Sequence, residues 1–161
     1  MERIHKIQNH PVFTEQYQLL CEAEKNRVFC GHTMEHFLDV ARLMYIYSLE
    51  AQAGLSRELI YAAALLHDIG RYEQLTKGTA HDIASAALAE GILRDCGFEK
   101  EEIAAVKKAI LGHRNPESRE NPDLLTSYLY RADKQSRSCF ACKAQEECDW
   151  PLEKKNLKIM Y

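Results

Sequence analysis

Glycine and proline are scarce in this sequence, and so are the apolar runs that would place it in a membrane. Only 7 glycines and 4 prolines interrupt its 161 residues, which leaves long segments free to form regular structure. No apolar run approaches the ~20 residues that a membrane-spanning helix needs. The first residues, MERIHKIQNHPVF, hold no apolar stretch typical of a signal peptide. We therefore expect a cytoplasmic protein that does not bind membranes.

An excess of positive charge is also missing. The 21 Lys and Arg residues are balanced by 24 Asp and Glu residues, which gives a formal net charge of -3. Without a basic field over the whole chain, a nucleic acid polymer is not expected as a partner. With 46% hydrophobic residues, the chain can bury the core of one compact domain, and we expect a single domain over residues 1–161.

Most segments between these glycines and prolines carry apolar residues at spacings of three and four, which is the period of an α-helix. No segment alternates as a strand would, and the fold class predicted is an all-α helical bundle. Six helices are predicted, at residues 13–25, 33–52, 57–67, 80–96, 99–113 and 122–137.

Several polar side chains lie on the apolar sides of these predicted helices. His36 shares a stripe with Val40 and Leu43, and Asp133 follows Leu125 and Leu129 at steps of four. The segment LIYAAALLHDIG is apolar almost all round and ends in a His-Asp pair. Six residues are inward-facing by this reasoning: His36, His67, Asp68, His81, His113 and Asp133.

A buried carboxylate without a partner costs several kcal/mol, so Asp68 and Asp133 need compensation nearby. Any one of the histidines, taken alone, is more often a hydrogen-bonded core residue than a ligand. Together, however, the six residues supply many hydrogen-bond acceptors and few donors. One or two divalent metal ions would satisfy the acceptors that are left without a donor. Imidazole nitrogen and carboxylate oxygen are suitable ligands for iron, manganese, zinc, cobalt, nickel or magnesium.

The order of five motifs resembles the HD superfamily of metal-dependent phosphohydrolases over residues 28–137. The motifs are HTMEHFLDVARL, AALLHDIGR, HDIASAAL, AILGHR and YLYRADKQSR. The resemblance implies an HD-domain helical bundle whose first metal ion is held by His36, His67, Asp68 and Asp133. It further implies a second ion held by His81 and His113, with Asp68 as the catalytic residue that bridges the two. Alternatively, His81 and His113 hold a phosphate or a water.

The chemistry implied by this family is hydrolysis of a phosphomonoester or phosphoanhydride by a metal-activated water. Arg71 follows the HDIG turn, where the family usually has a basic residue that clamps a phosphate. Arg114, Lys134 and Arg137 flank presumed ligands and are further candidates for binding an anionic substrate. Each of these four is otherwise an ordinary surface charge. His32, one turn before His36, is a candidate substrate contact or proton donor, or simply begins its helix beside the possible cap Thr33.

The substrate expected is a nucleotide or a related small phosphate ester. The family's cyclic dinucleotide subgroup has a GYP element after HDIG, whereas this chain has RYEQ. The AILGHR and RADKQSR segments look more like small bacterial proteins related to diadenosine tetraphosphate hydrolases. An alternative function is a noncatalytic HD module that binds metal and nucleotide and acts as a sensor.

Six cysteines remain, and in a cytoplasmic protein they are better read as thiols or metal ligands than as disulfides. Cys139, Cys142 and Cys148 form a C-x2-C-x5-C pattern in a tail, residues 138–161, that is a candidate separate appendage. Cys30 is a possible fourth ligand. It precedes His36 by as many residues as Cys139 follows Asp133, a displacement of ~9 Å along antiparallel helices. The alternatives are reduced structural cysteines, or a metal- or redox-linked interaction protein centred on this tail.

Overall fold

The computed structural model describes all 161 residues, and it contains helices and no strands. Three short 3-10 helices lie at Pro116–Glu120, Cys139–Ala141 and Leu152–Lys154. The eight α-helices are α1 (Glu2–Gln8), α2 (Pro11–Glu24), α3 (Met34–Glu50), α4 (Arg57–Leu66), α5 (Arg71–Lys77), α6 (His81–Asp95), α7 (Lys100–Gly112) and α8 (Leu124–Gln135). The predicted all-α fold class is confirmed.

All six predicted helices are present, as α2, α3, α4, α6, α7 and α8, with ends within two residues of those expected. The sequence did not predict α1 and α5. Each has 7 residues, about two turns, and so short a segment carries too few apolar positions for a period to stand out. Helix α5 lies between Gly70 and Gly78, and Gly78 ends it with a φ of 78°, a left-handed conformation that glycine adopts without strain.

Helix α4 is the centre of the bundle. It packs against α3, α7, α6, α1 and α8, and its residues from Ala62 to Leu66 are all buried. Phe37 and Met44 of α3 and Leu129 of α8, all fully buried, complete the core around it. Because α4 ends inside the molecule, the His67-Asp68 pair that follows it is delivered to a buried position.

The cysteine-bearing tail is not a separate appendage, as we had considered, but folds back on the bundle. The amide of Asn156 donates hydrogen bonds to the carbonyl oxygens of Lys134 (2.7 Å) and Arg137 (2.9 Å). At the end of the chain, the ring of Tyr161 lies 5.2 Å from that of Tyr47 on α3. None of the helices is both long enough and apolar enough to span a bilayer.

Candidate metal centre

Helix ends bring the six inward-facing polar residues together. His36 lies in the first turn of α3, where the Thr33 hydroxyl caps the helix by accepting a hydrogen bond from the His36 amide (3.4 Å). The other residues follow α4, begin α6, follow α7 or lie in the last turn of α8. All six side chains are buried: His36, His67, Asp68, His81, His113 and Asp133.

The first group of ligand atoms comes from His36, His67, Asp68 and Asp133, and all lie within 4.8 Å of one another. Asp133 Oδ1 lies 3.4 Å from His36 Nε2 and 3.7 Å from His67 Nε2. Asp68 Oδ2 lies 3.1 Å from His67 Nε2 and 3.8 Å from His36 Nε2. Two imidazole nitrogens and two carboxylate oxygens thus converge on one point.

The second group consists of Asp68, His81 and His113, again within 4.8 Å of one another. Asp68 Oδ1 lies 3.1 Å from His81 Nε2 and 3.6 Å from His113 Nε2. Asp68 therefore belongs to both groups, and each of its oxygens faces a different pair of histidines. The two oxygens of Asp68 could therefore each be a ligand of a separate cation.

The partners of the outer ring nitrogens fix the orientation of the histidines. Nδ1 of His67 donates to the Ala64 carbonyl (2.7 Å) and Nδ1 of His113 to the Ile110 carbonyl (2.5 Å). Since a carbonyl oxygen only accepts, both rings carry a proton on Nδ1 and turn Nε2 inward. Partners of this kind orient the histidine ligands of metal sites.

His36 and His81 follow the same rule through side-chain partners. Nδ1 of His36 lies 3.1 Å from the hydroxyl oxygen of Ser136, which itself donates to the Asp133 carbonyl (3.0 Å). Nδ1 of His81 donates to the amide oxygen of Gln74 (2.6 Å). The Nε2 atoms of His81 and His113 lie 3.1 Å apart, close enough to be ligands of one ion.

Two buried atoms in this cluster lack a hydrogen-bond partner, and they test whether a metal fits. They are Nε2 of His67 and Oδ1 of Asp68. Unsatisfied buried polar atoms of this kind are costly, and both are metal-ligand atoms aimed into the cluster. The residues present therefore fit a divalent cation.

The pKa values show that the cluster favours positive charge. Burial lowers the pKa of His67, but the carboxylates of Asp68 and Asp133 outweigh it and raise the pKa to about 10. Burial raises the pKa of both carboxyls, but neighbouring histidines hold each pKa well below its usual range. A proton or a metal ion at His67 Nε2 supplies the charge that these carboxylates attract.

A cavity of about 560 Å³ opens above the cluster, and cations surround it. All four basic residues predicted to bind substrate line it, together with two that the sequence analysis missed, Arg27 and Lys155. The predicted four are Arg71, Arg114, Lys134 and Arg137.

These basic side chains differ in how many partners they already have within the protein. Lys134 pairs with Asp133 (2.5 Å), and Arg114 lies 3.5 Å from Asp82. Arg137 donates from Nη2 to His36 Nε2 (3.0 Å) and from Nη1 to the Gly31 carbonyl (2.7 Å). Nη1 of Arg71 donates to the amide oxygen of Gln74 (3.3 Å), whereas its buried Nε has no acceptor.

His32 also lies at the floor of the cavity, with Nε2 3.5 Å from Asp68 Oδ2. The carboxylate of Glu24 fixes the orientation of His32 through two hydrogen bonds. Oε1 accepts from His32 Nδ1 (2.7 Å), and Oε2 accepts from the His32 backbone amide (2.9 Å). Burial lowers the pKa of His32, and Glu24 opposes that shift. The sequence analysis missed Glu24, because no helical period links the end of α2 to a residue in the following loop.

Comparison with known proteins agrees with the site. The HD domain family matches residues 33–138 of the chain. A protein of Clostridium beijerinckii (strain ATCC 51743 / NCIMB 8052), named only as an uncharacterized protein, is 42% identical over 161 residues, with all of both chains covered. No solved structure matches the chain significantly.

Proposed function

The chain belongs to the HD superfamily of metal-dependent phosphohydrolases, and we propose that it hydrolyses a phosphomonoester or phosphoanhydride bond of a nucleotide or a related small phosphate ester. One observation carries the proposal: each carboxylate oxygen of Asp68 faces a separate histidine pair at the floor of a cavity ringed by cations. The alternative function is a noncatalytic sensor, which would bind a nucleotide without hydrolysing it.

Divalent ions bound here would lower the pKa of a water ligand and neutralise the phosphoryl oxygens. The protein's own task is to bind and orient the phosphate. Arg71 is suited to it, because its buried Nε needs an acceptor and a guanidinium offers parallel donors that match phosphate oxygens. Arg114 and Lys134 extend this positive wall towards the mouth of the cavity. In-line attack at phosphorus depends mainly on such positioning and charge neutralisation.

His32 is the group placed to hold or move a proton. Its Nε2 faces the cavity floor while Glu24 fixes the ring through Nδ1. Because the Glu24 carboxylate stabilises a positive charge on the ring, His32 can accept a proton at Nε2 and pass it to the leaving-group oxygen. We therefore assign His32 as the proton donor and Glu24 as its positioning residue.

The cavity also supports a nucleotide as the phosphate carrier. At about 560 Å³, it lies within the range of small-molecule sites, roughly 300–1,000 Å³. Phe29 and Trp150 line it, and flat aromatic rings stack on nucleobases with little dependence on sequence. A phosphate ester without a base would leave these aromatic side chains without a partner.

A phosphatase screen tests the proposal. The full-length protein is incubated with nucleoside mono-, di- and triphosphates and dinucleoside polyphosphates in the presence of Mn²⁺, Fe²⁺, Co²⁺ or Ni²⁺. We expect metal-dependent turnover on at least one of them, lost in Asp68→Ala. His5→Ala is the matched control, because His5 is exposed on α1 and does not line the cavity.

The same samples separate an enzyme from a sensor. If no substrate turns over with any metal while a nucleotide still binds, the hydrolase proposal is wrong and the sensor function takes its place. Equal turnover in the wild type and in Asp68→Ala would show that the activity comes from a contaminant, and it too would reject the proposal.

A further inference from the structure

Four of the six cysteines line the same cavity as the histidine-aspartate cluster, although they come from opposite ends of the chain. Cys30 precedes α3, and Cys139, Cys142 and Cys148 follow α8. Of the other two cysteines, Cys21 is exposed on α2 and Cys96 is buried at the end of α6. None of the six is in a disulfide.

The two segments are joined next to their cysteines. Nη1 of Arg137, two residues before Cys139, donates to the carbonyl of Gly31, which follows Cys30 (2.7 Å). Cys30 and Cys139 therefore lie at the same end of the bundle. Burial raises the pKa of the Cys30 thiol, and the charge of Arg137 opposes that shift.

The tail has a defined path but almost no core of its own. Among residues 138–161, only Cys139 and Ala144 are buried. Two hydrogen bonds close the loop of the tail: Nζ of Lys155 donates to the carbonyl oxygens of Gln145 (2.8 Å) and Cys148 (3.0 Å).

Ordering each residue costs ~1–2 kcal/mol of backbone entropy, which two buried side chains and a few part-buried hydrogen bonds do not offset. Small segments of this kind are usually held by disulfides or by a structural metal. The spacing C-x2-C-x5-C with Cys30 supplies four ligands, the number that a closed thiolate site needs.

We propose that Cys30, Cys139, Cys142 and Cys148 bind a metal centre through four thiolates, separate from the histidine-aspartate site, and that this centre fixes the tail as one wall of the cavity. Each thiol gives up its proton to solvent on ligation, and Arg27, Arg137 and Lys155, which line the same region, offset the negative charge. Whether the four cysteines bind this centre does not depend on the proposed hydrolase activity.

Two centres share this ligand chemistry, a single Zn²⁺ and a preassembled iron-sulfur cluster. Tetrahedral zinc with Zn–S bonds of ~2.3 Å requires all four sulfurs to crowd around one ion, whereas a cluster spreads its cysteine sulfurs over several metal atoms. No three of the thiols form a set within 4.8 Å of one another. A single Zn²⁺ would therefore require the loop to close further, whereas a cluster does not need all four sulfurs around one ion.

The test uses full-length protein purified without oxygen. Iron, zinc and acid-labile sulfide are measured per chain, and thiolate-to-metal charge transfer is followed by absorption, after cobalt exchange if the protein holds zinc. Nitrogen and oxygen ligands give no such band, so the histidine-aspartate site does not contribute. Iron with sulfide identifies the cluster, and zinc without sulfide identifies the single ion.

We expect charge-transfer absorption in the wild type, in His81→Ala and in the matched control Cys21→Ser, and its loss in Cys30→Ser and Cys142→Ser. If these two variants do not fold, chelation of the wild type replaces them: cleavage by a protease should then become faster within residues 138–161. The proposal is overturned if no charge-transfer band forms in the wild type, or if chelation leaves both the tail's cleavage and the reactivity of its thiols unchanged.

Discussion

Nδ1 of His32 lies 2.7 Å from Oε1 of Glu24, and the second oxygen of the same carboxylate accepts from the backbone amide of His32. One side chain at the end of α2 thus fixes both the ring and the backbone of a histidine at the cavity floor. Glu24 also lies 3.8 Å from Nε of Arg27, but His32 is the one predicted site residue that its carboxylate contacts.

We expect Glu24→Gln to lower kcat about 10- to 100-fold, the usual cost of losing a partner that orients a functional histidine. The amide oxygen can still accept from Nδ1, so the ring keeps its place but loses the charge that raises its pKa. The alkaline limb of the kcat/KM profile should therefore move to lower pH. A profile that keeps its shape and position would show that His32 does not titrate in the reaction.

The number of metal ions at the histidine-aspartate site depends on His81 and His113. We expect the wild type to bind two Mn²⁺ ions per chain, His81→Ala and His113→Ala one each, and Asp68→Ala neither with useful affinity. Equilibrium titration with Mn²⁺ is suitable, because this hard ion prefers nitrogen and oxygen ligands to thiolates. One ion in the wild type would instead assign His81 and His113 to a phosphate or a water.

Gly70 is required by a close approach of two backbones. A Cβ there would lie 2.4 Å from the amide nitrogen of Ser85 and 2.7 Å from the Cβ of Ala84, whereas the present glycine amide donates to the Ser85 hydroxyl (2.9 Å). We expect Gly70→Ala to destabilise the protein by about 1–3 kcal/mol and to weaken metal binding by displacing α6, which carries His81.

Gly91, in the same α6, is the matched control, because a Cβ there meets nothing within 4 Å. Gly91→Ala should stabilise the protein by about 0.5–1 kcal/mol through the higher helix propensity of alanine. Urea unfolding measures both variants. Similar effects of the same sign would show that steric contact at Gly70 is not what distinguishes the two glycines.

Arg3 ties α1 to the bundle and makes stability depend on pH. It lies 2.6 Å from carboxylate oxygens of both Glu58 and Glu102 and stacks on Phe98 at 4.1 Å. Its hydrogen bonds lower the pKa of Glu58 and of Glu102. A lowered carboxyl pKa stabilises the fold above the ordinary value of about 4.5, and that contribution is lost as the pH falls through the folded-state pKa.

Arg3→Met should therefore lower the free energy of unfolding by about 1 kcal/mol at pH 7, and the difference from wild type should shrink as the pH falls below the ordinary carboxyl range. Urea unfolding between pH 7 and pH 3 measures it, with Arg119→Met, an exposed arginine in none of the ion pairs of the structure, as the control. A difference that stays constant with pH would assign the effect of Arg3 to its stacking on Phe98 alone.

The sequence by itself determined the helical fold and the facing of the six cluster residues. His36, His67, Asp68, His81, His113 and Asp133 could be placed because a helix turns its side chains at a fixed period, so an apolar stripe also gives the direction of any polar residue on it. The resemblance then assigned these residues an order and a chemistry.

The contacts between separate helices and loops were known only from the tertiary structure, because a helical period describes one helix at a time. The contact of Glu24 with His32, the assignment of each Asp68 oxygen to its own histidine pair, and the meeting of Cys30 with the tail all join segments through loops or through packing. Helices α1 and α5 were likewise too short to be seen in the pattern. A helical repeat fixes directions within one element, whereas distances between elements depend on how the whole core packs.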